Sequence, residues 1–290
     1  MEIVLLKKRF IGFLLWIGLL LCIYALPLLK LVKQSLDSGY SSHIVLVPLI
    51  VCYLVYSKWK QIFSTTSLEF GRALTLVIVA VAFVAVVYFL NPLHGSLLPT
   101  ATVLSCMLLI VAGFVGAFGT TALRRAGFPV GMFIFMLPMP PALIDRIILF
   151  LQSKSADLTY WMFVNMGVPV LRDGFVMTVP GVSIQIAAEC SGINSSIALL
   201  ILMTIFAHET LHSNWRRALL VLLVIPFSVI KNAIRIVTLT MLAIRVDPGF
   251  LTGRLHHEGG FVFFLITLVL LYPVWRVLQR TEPKAVPSAT

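Results

Sequence analysis

ALTLVIVAVAFVAVVYFL, residues 73–90, carries no charged side chain, and only Thr75 and Tyr88 bring polar atoms to it. A stretch like this reads as a membrane-crossing helix, because about 20 mostly apolar residues span the hydrocarbon and a helix satisfies its own backbone polar groups there. Seven other stretches share its character, near 10–29, 43–57, 97–118, 127–140, 191–208, 217–244 and 260–277, of which 43–57 and 127–140 are short. Composition agrees: 60% of the 290 residues are hydrophobic and 11% charged, with a mean hydropathy of +1.03, against about 45–50% and about 25% in soluble domains. An ordinary soluble enzyme and a disordered chain are both excluded. The expectation is an all-α polytopic membrane protein of about eight transmembrane helices, one domain over 1–281 with a short disordered tail at 282–290.

The net charge of +11 reflects topology, not nucleic acid: no zinc finger, RNA-binding motif or basic helix is present. The basic residues sit in short groups between the spans. Lys7, Lys8, Arg9; Lys58, Lys60, Arg72; Arg124, Arg125; Arg216, Arg217; and Arg276, Arg280, Lys284 fall on one side if the N-terminus is inside, as the positive-inside rule requires. Both termini are then cytoplasmic. The first span is too long for a signal peptide and lacks a small-x-small cleavage site, so it reads as a retained anchor.

The longest stretch outside the spans, about Pro141–Glu189, would lie on the outer side. Ile144, Ile147, Ile148, Leu151, Leu158 and Met162 recur at helical spacing opposite Asp145, Arg146, Lys154 and Asp157, the pattern of an amphipathic helix on the membrane surface. Then Gly174–Val179 and Val182–Ala187 flank Pro180-Gly181, which predicts a small β-hairpin leading into Glu189-Cys190-Ser191-Gly192.

Cys22, Cys52 and Cys106 lie in apolar runs, where a thiol behaves as a small hydrophobe. Cys190 differs: it stands at the outer mouth of the sixth span beside Glu189 and Ser191, where a helix N-terminus favours thiolate. In the seventh span Arg235 lies 19 residues beyond Arg216, about 28 Å of helix, so its guanidinium reaches the outer interface. His256 is 20 residues from Arg276, about 30 Å, and Cys190 is 18 from His208, about 27 Å. Singly, each is an ordinary helix-end residue; their common depth makes a site. A thiolate, a guanidinium and an imidazole suit acyl transfer, with Cys190 as nucleophile, Arg235 lowering the thiol pKa and holding the oxyanion, and His256 as general acid or base. His257 is the neighbour that one residue of register would substitute. No CxxC pair or cysteine zinc cage is present, and no cofactor or metal is expected.

These residues and their surroundings resemble the exosortase/archaeosortase family of membrane-embedded cysteine transpeptidases. The resemblance covers most of the chain: Tyr40-Ser41-Ser42-His43 with Leu46-Val47-Pro48; Leu137-Pro138-Met139-Pro140, then Leu151-Gln152 and Ser155-Ala156; Glu189-Cys190-Ser191-Gly192-Ile193; Asn232-Ala233-Ile234-Arg235-Ile236; and Leu255-His256-His257-Glu258-Gly259-Gly260. It implies an enzyme of the bacterial inner membrane with its site toward the outer face. That enzyme would cleave a C-terminal sorting signal, a Pro-Glu-Pro-like motif followed by a hydrophobic helix and a basic tail, from exported proteins. A thioester acyl-enzyme would then pass to water, or to an acceptor amine or glycan precursor. The family's catalytic cysteine, arginine and histidine fall on Cys190, Arg235 and His256. Asn194 stands where many relatives have Arg, and no extra domain follows the last span, which leaves the substrate subtype and the exopolysaccharide connection open. From position alone, His43, Glu189, Ser191 and Asn232 are candidate supporting residues.

Two other readings compete. His208-Glu209-Thr210-Leu211-His212 matches the HExxH zincin pattern, two imidazoles on one helical face with a glutamate base, although it lies on the cytoplasmic side and lacks a third ligand. A non-enzymatic transporter or assembly scaffold would use Arg235 to bind an anion and leave Cys190 incidental.

Overall fold

The computed structural model describes residues 2–37, 42–90, 97–251 and 260–282. His256 and His257 lie outside the described residues, and Glu189 and Cys190 are described by their backbone alone. The helices are α1 (Glu2–Ile23), α2 (Ala25–Asp37), α3 (His43–Ser57), α4 (Trp59–Ile62), α5 (Phe70–Leu90), α6 (Leu98–Arg125), α7 (Gly127–Gly131), α8 (Pro141–Asn165), α9 (Ile193–Thr210), α10 (Asn214–Leu222), α11 (Val224–Arg245) and α12 (Gly260–Arg280). Short 3₁₀ turns occupy Met132–Met136, Ala188–Ser191 and Pro248–Leu251.

Five stretches are long and apolar enough to cross a membrane: Phe70–Phe89, Leu98–Arg125, Ile193–Thr210, Asn214–Arg245 (α10 and α11 together) and Gly260–Arg280. Two bent pairs raise the number to as many as seven, and His43–Ser57 is a shorter apolar helix. The protein is a mostly helical, multi-pass membrane protein with a small sheet. The eight expected stretches fall on helix, but not always on one straight span. The first, 10–29, crosses a bend of 74° between α1 and α2 at Tyr24, whose hydroxyl shares a hydrogen bond of 2.8 Å with Ser105 Oγ. The fifth, 127–140, consists of α7 and a 3₁₀ turn that stops before Pro138.

The chain forms two compact units, Met1–Leu143 and Ile144–Thr290. In the first, α1 and α5 both pack on α6, around an aromatic cluster of Phe10, Phe13, Phe63, Phe114 and Phe118. The basic groups collect at one end of this unit. Arg9 donates to Thr66 Oγ1 (3.0 Å) and Arg72 to Glu69 (2.6 Å), while Arg125 donates to Thr65 Oγ1 (2.8 Å), the Gln61 carbonyl (3.3 Å) and Ser64.

In the second unit three antiparallel strands, β1 (Leu171–Asp173), β2 (Val176–Val179) and β3 (Val182–Gln185), lie in the order β1-β2-β3. The expected hairpin is β2–β3, turned by Pro180 and by Gly181 at φ +85°, the residues and conformation of a type II turn. The strand β1 adds a third member. Its cluster, Met177, Val179, Ile184 and Ile186, packs with Ala156 and Phe163 of α8 and with Val237 of α11. The buried face of α8 carries Gln152, Ser155 and Thr159 beside Ile148 and Leu151, so it is more polar than the expected stripe. Gln152 Nε2 meets its need by donating to the Ile186 carbonyl at 2.5 Å.

Candidate active site

The sheet delivers the chain to Cys190. The Ile186 amide donates to the Phe175 carbonyl (2.9 Å) and its carbonyl accepts from Gln152, so the strand is tied on both sides as it leaves the sheet. Ala187 is extended, and Ala188–Ser191 then makes one 3₁₀ turn that holds Glu189 and Cys190. Gly192 reverses the path with φ +72° and ψ +19° and caps α9. This left-handed conformation is costly for any residue with a Cβ. Here the space is closed as well: a Cβ at 192 would stand 3.2 Å from Asn232 Oδ1 and 3.3 Å from Lys231 Nζ.

Those two neighbours come from α11. Asn232 is fully buried and Lys231 only 2% exposed. Lys231 Nζ donates to Ser195 Oγ and lies 3.5 Å from the Gly192 carbonyl. That carbonyl also accepts from the Ser196 amide (3.0 Å) and from the hydroxyls of Ser195 (3.0 Å) and Ser196 (2.8 Å). At the other end of the same helix pair, Arg217 Nη2 donates to the His208 carbonyl (3.3 Å) and its Nε to the Leu211 carbonyl (2.7 Å). The two ties set an antiparallel register between α9 and the α10–α11 run. Four residues up α11 from Lys231 is Arg235; four or five back along the chain from Ser195 are Ser191 and Cys190. Arg235 is therefore about 6 Å beyond Lys231 along the helix axis, past the end of α9 that the Cys190 turn enters. It is half-buried, and its neighbours Ile236 and Val237 pack into the sheet cluster.

Ser191 is 1% exposed, and its hydroxyl has no hydrogen-bond partner among the described residues. A buried polar atom left without any partner costs about 1–3 kcal/mol. Of the expected residues, Asn232 lies beside Gly192, the residue after the Glu189-Cys190-Ser191 turn, and Arg235 stands on the same helix three residues further on. His43 begins α3 in the first unit, half-buried. Lys231 and Ser195, which meet at this end of α9, are not among the expected residues. A signal existed in the four-residue spacing of Lys231 and Arg235, which puts two cations on one face of an apolar helix.

The HExxH pattern does not form its expected geometry. The helix α9 ends at Thr210, and Leu211 is extended (φ −118°, ψ 144°), so His208 and His212 do not share a helical face. The His212 and Ser213 amides instead donate to Glu282 Oε1 at 2.8 and 2.6 Å, and His212 Nδ1 lies 3.4 Å from Glu282 Oε2.

Residues 34–273 match the family model described as transmembrane exosortase (Exosortase_EpsH). The chain belongs to the transmembrane exosortase family. Comparison with curated proteins and with solved structures gives no match. The span that matches the exosortase model contains the Cys190 turn, α9, α11 and the His256-His257 segment. Exosortase membership implies a transpeptidase-like enzyme that works at a membrane on proteins carrying a sorting signal.

Proposed function

We propose that this exosortase is a membrane-embedded cysteine transpeptidase that removes a C-terminal sorting signal, a Pro-Glu-Pro-like motif with a hydrophobic helix and a basic tail, from exported proteins. The Cys190 thiolate attacks the scissile carbonyl carbon and forms a C–S bond, and the carbonyl oxygen becomes an oxyanion held by Arg235. The C–N bond then breaks, with His256, or His257 one residue along, giving a proton to the leaving amine. The thioester that results is opened by water or by an acceptor amine or glycan precursor, whose proton returns to the imidazole.

The observation that carries this reading is the Lys231–Ser195 tie between α11 and the first turn of α9, the end of α9 that the Cys190 turn enters, with Arg235 one turn further along α11. The Ser191 hydroxyl, which has no hydrogen-bond partner among the described residues, supports it further as a donor to the acyl-enzyme oxygen. The site lies at the end of the second unit opposite Arg216 and Arg217, so the positive-inside rule turns it toward the outer face of a bacterial inner membrane.

The test is co-expression with a fusion ending in a Pro-Glu-Pro motif, a hydrophobic helix and a basic tail, followed by mass spectrometry. Loss of the tail in the wild type, and none in Cys190→Ala or Arg235→Ala at equal membrane abundance, is the expected result. Processing that survives Cys190→Ala overturns the mechanism.

A further inference from the structure

We infer that Lys231 is a positioning residue for this reaction, holding the turn that carries Cys190 against the face of α11 that carries Arg235. The inference rests on the reading of Cys190 as nucleophile. An ammonium at this depth is expensive to bury, and a lysine with only a topological role extends its stem and brings its charge to the interface. Lys231 does neither: it is 2% exposed, and its Nζ is directed to the Gly192 carbonyl and the Ser195 hydroxyl.

The target is specific. Gly192 is the left-handed residue that joins the Cys190 turn to α9, and its carbonyl already accepts from Ser195 and Ser196 within α9. Lys231 adds the link from α11, so the junction is anchored to two helices at once. Because Arg235 stands one helical turn further on the same α11 face, the link sets how far the Cys190 turn stands from Arg235. Asn232 closes the other flank, against the position a Gly192 Cβ would fill. A sub-ångström adjustment of this kind acts on the rate of the chemical step rather than on substrate capture.

The experiment uses the full chain in lipid nanodiscs with the purified sorting-signal fusion as substrate. Lys231→Met, which keeps the stem and removes the donor, is expected to lower kcat about 100-fold, the scale of a 1 Å misplacement, with KM within about twofold and an unchanged thermal midpoint. Lys231→Gln, which keeps a hydrogen-bond donor, recovers at least about tenfold of that loss by the same positional logic. Ser195→Ala removes one anchor alone and lowers kcat about fivefold; it is decisive if Lys231→Met fails to accumulate. An unchanged kcat in a folded Lys231→Met, a loss that appears in KM, a Gln variant no better than Met, or an unaffected Ser195→Ala each overturns the inference. Cys190→Ala in the same assay separates the two claims: if it is inactive while Lys231→Met is normal, only the role of Lys231 fails, whereas an active Cys190→Ala removes the mechanism beneath it.

Discussion

At the scale of single residues, Ser191 gives the sharpest contrast between stability and catalysis. Its hydroxyl is buried without a partner among the described residues, so removing it relieves a desolvation penalty and leaves the fold as stable as before or more so. If the proposed acyl-enzyme oxygen is its acceptor, the same change removes a transition-state hydrogen bond, whose loss costs about 100-fold in kcat. Ser191→Ala is therefore expected to keep or raise the thermal midpoint while slowing signal removal about 100-fold. A variant that turns over at the wild-type rate would show that the hydroxyl plays no part. In the chain, Cys190 and Arg235 stand out as candidates by residue type and expected depth, and Asn232 by its place one turn before Arg235. Lys231 is harder to read, because a basic residue within a span can also extend its stem to the interface, and only its burial against Gly192 separates the two.

At the scale of elements, apolar runs mark where helices lie but not where they break. The helix α6 has non-helical backbone at Gly119 (φ 86°, ψ 167°), and a Cβ there would collide with Ser67 Oγ. The break frees backbone groups that a neighbouring segment takes up. The Ser67 amide donates to the Phe118 carbonyl (3.2 Å), and Glu69 Oε1 accepts from the Thr120 amide (3.1 Å). Nothing local in residues 98–125 announces this, since the partners come from the 67–69 segment. The HExxH segment teaches the same lesson in reverse: its spacing suits a helix, but Glu282, far along the chain, captures the His212 and Ser213 amides. The Glu69 junction has a pH signature. The hydrogen bond from Arg72 above all, then those from Thr120 and Ser67, outweigh the opposing effect of burial and bring its pKa down from 4.5 to about 2. A depressed carboxylate stabilises the fold above its unfolded pKa, and that contribution is lost as pH falls through the folded value. Between pH 4.5 and about 2, the thermal midpoint of the detergent-solubilised wild type is expected to fall toward that of Glu69→Gln. Parallel curves for the two proteins across that window would show that the ion pair does not stabilise this junction.

At the scale of the whole molecule, each unit carries its own record of orientation. In the first, Arg9, Arg72 and Arg125 meet around residues 61–69 at one end. In the second, Arg216 donates to the Leu278 carbonyl (3.2 Å) and Arg217 to that of His208, while the sheet packs on the far half of α11. The positive-inside rule weighs short loops near span ends, and these are such loops, so the proposed topology assigns both basic ends to the cytoplasm and the sheet to the outer side. Two exposed hydroxyl residues make this measurable: Ser64 at the basic end of the first unit and Thr178 on β2. In a background with Cys22, Cys52 and Cys106 changed to Ser and Cys190 to Ala, Thr178→Cys is expected to react with a membrane-impermeant maleimide in spheroplasts. Ser64→Cys is expected to react only after the membrane is opened. The opposite pattern would place the Cys190 turn in the cytoplasm, out of reach of an exported protein that has already crossed, and a cleavage at the outer face would then have no catalyst in this chain.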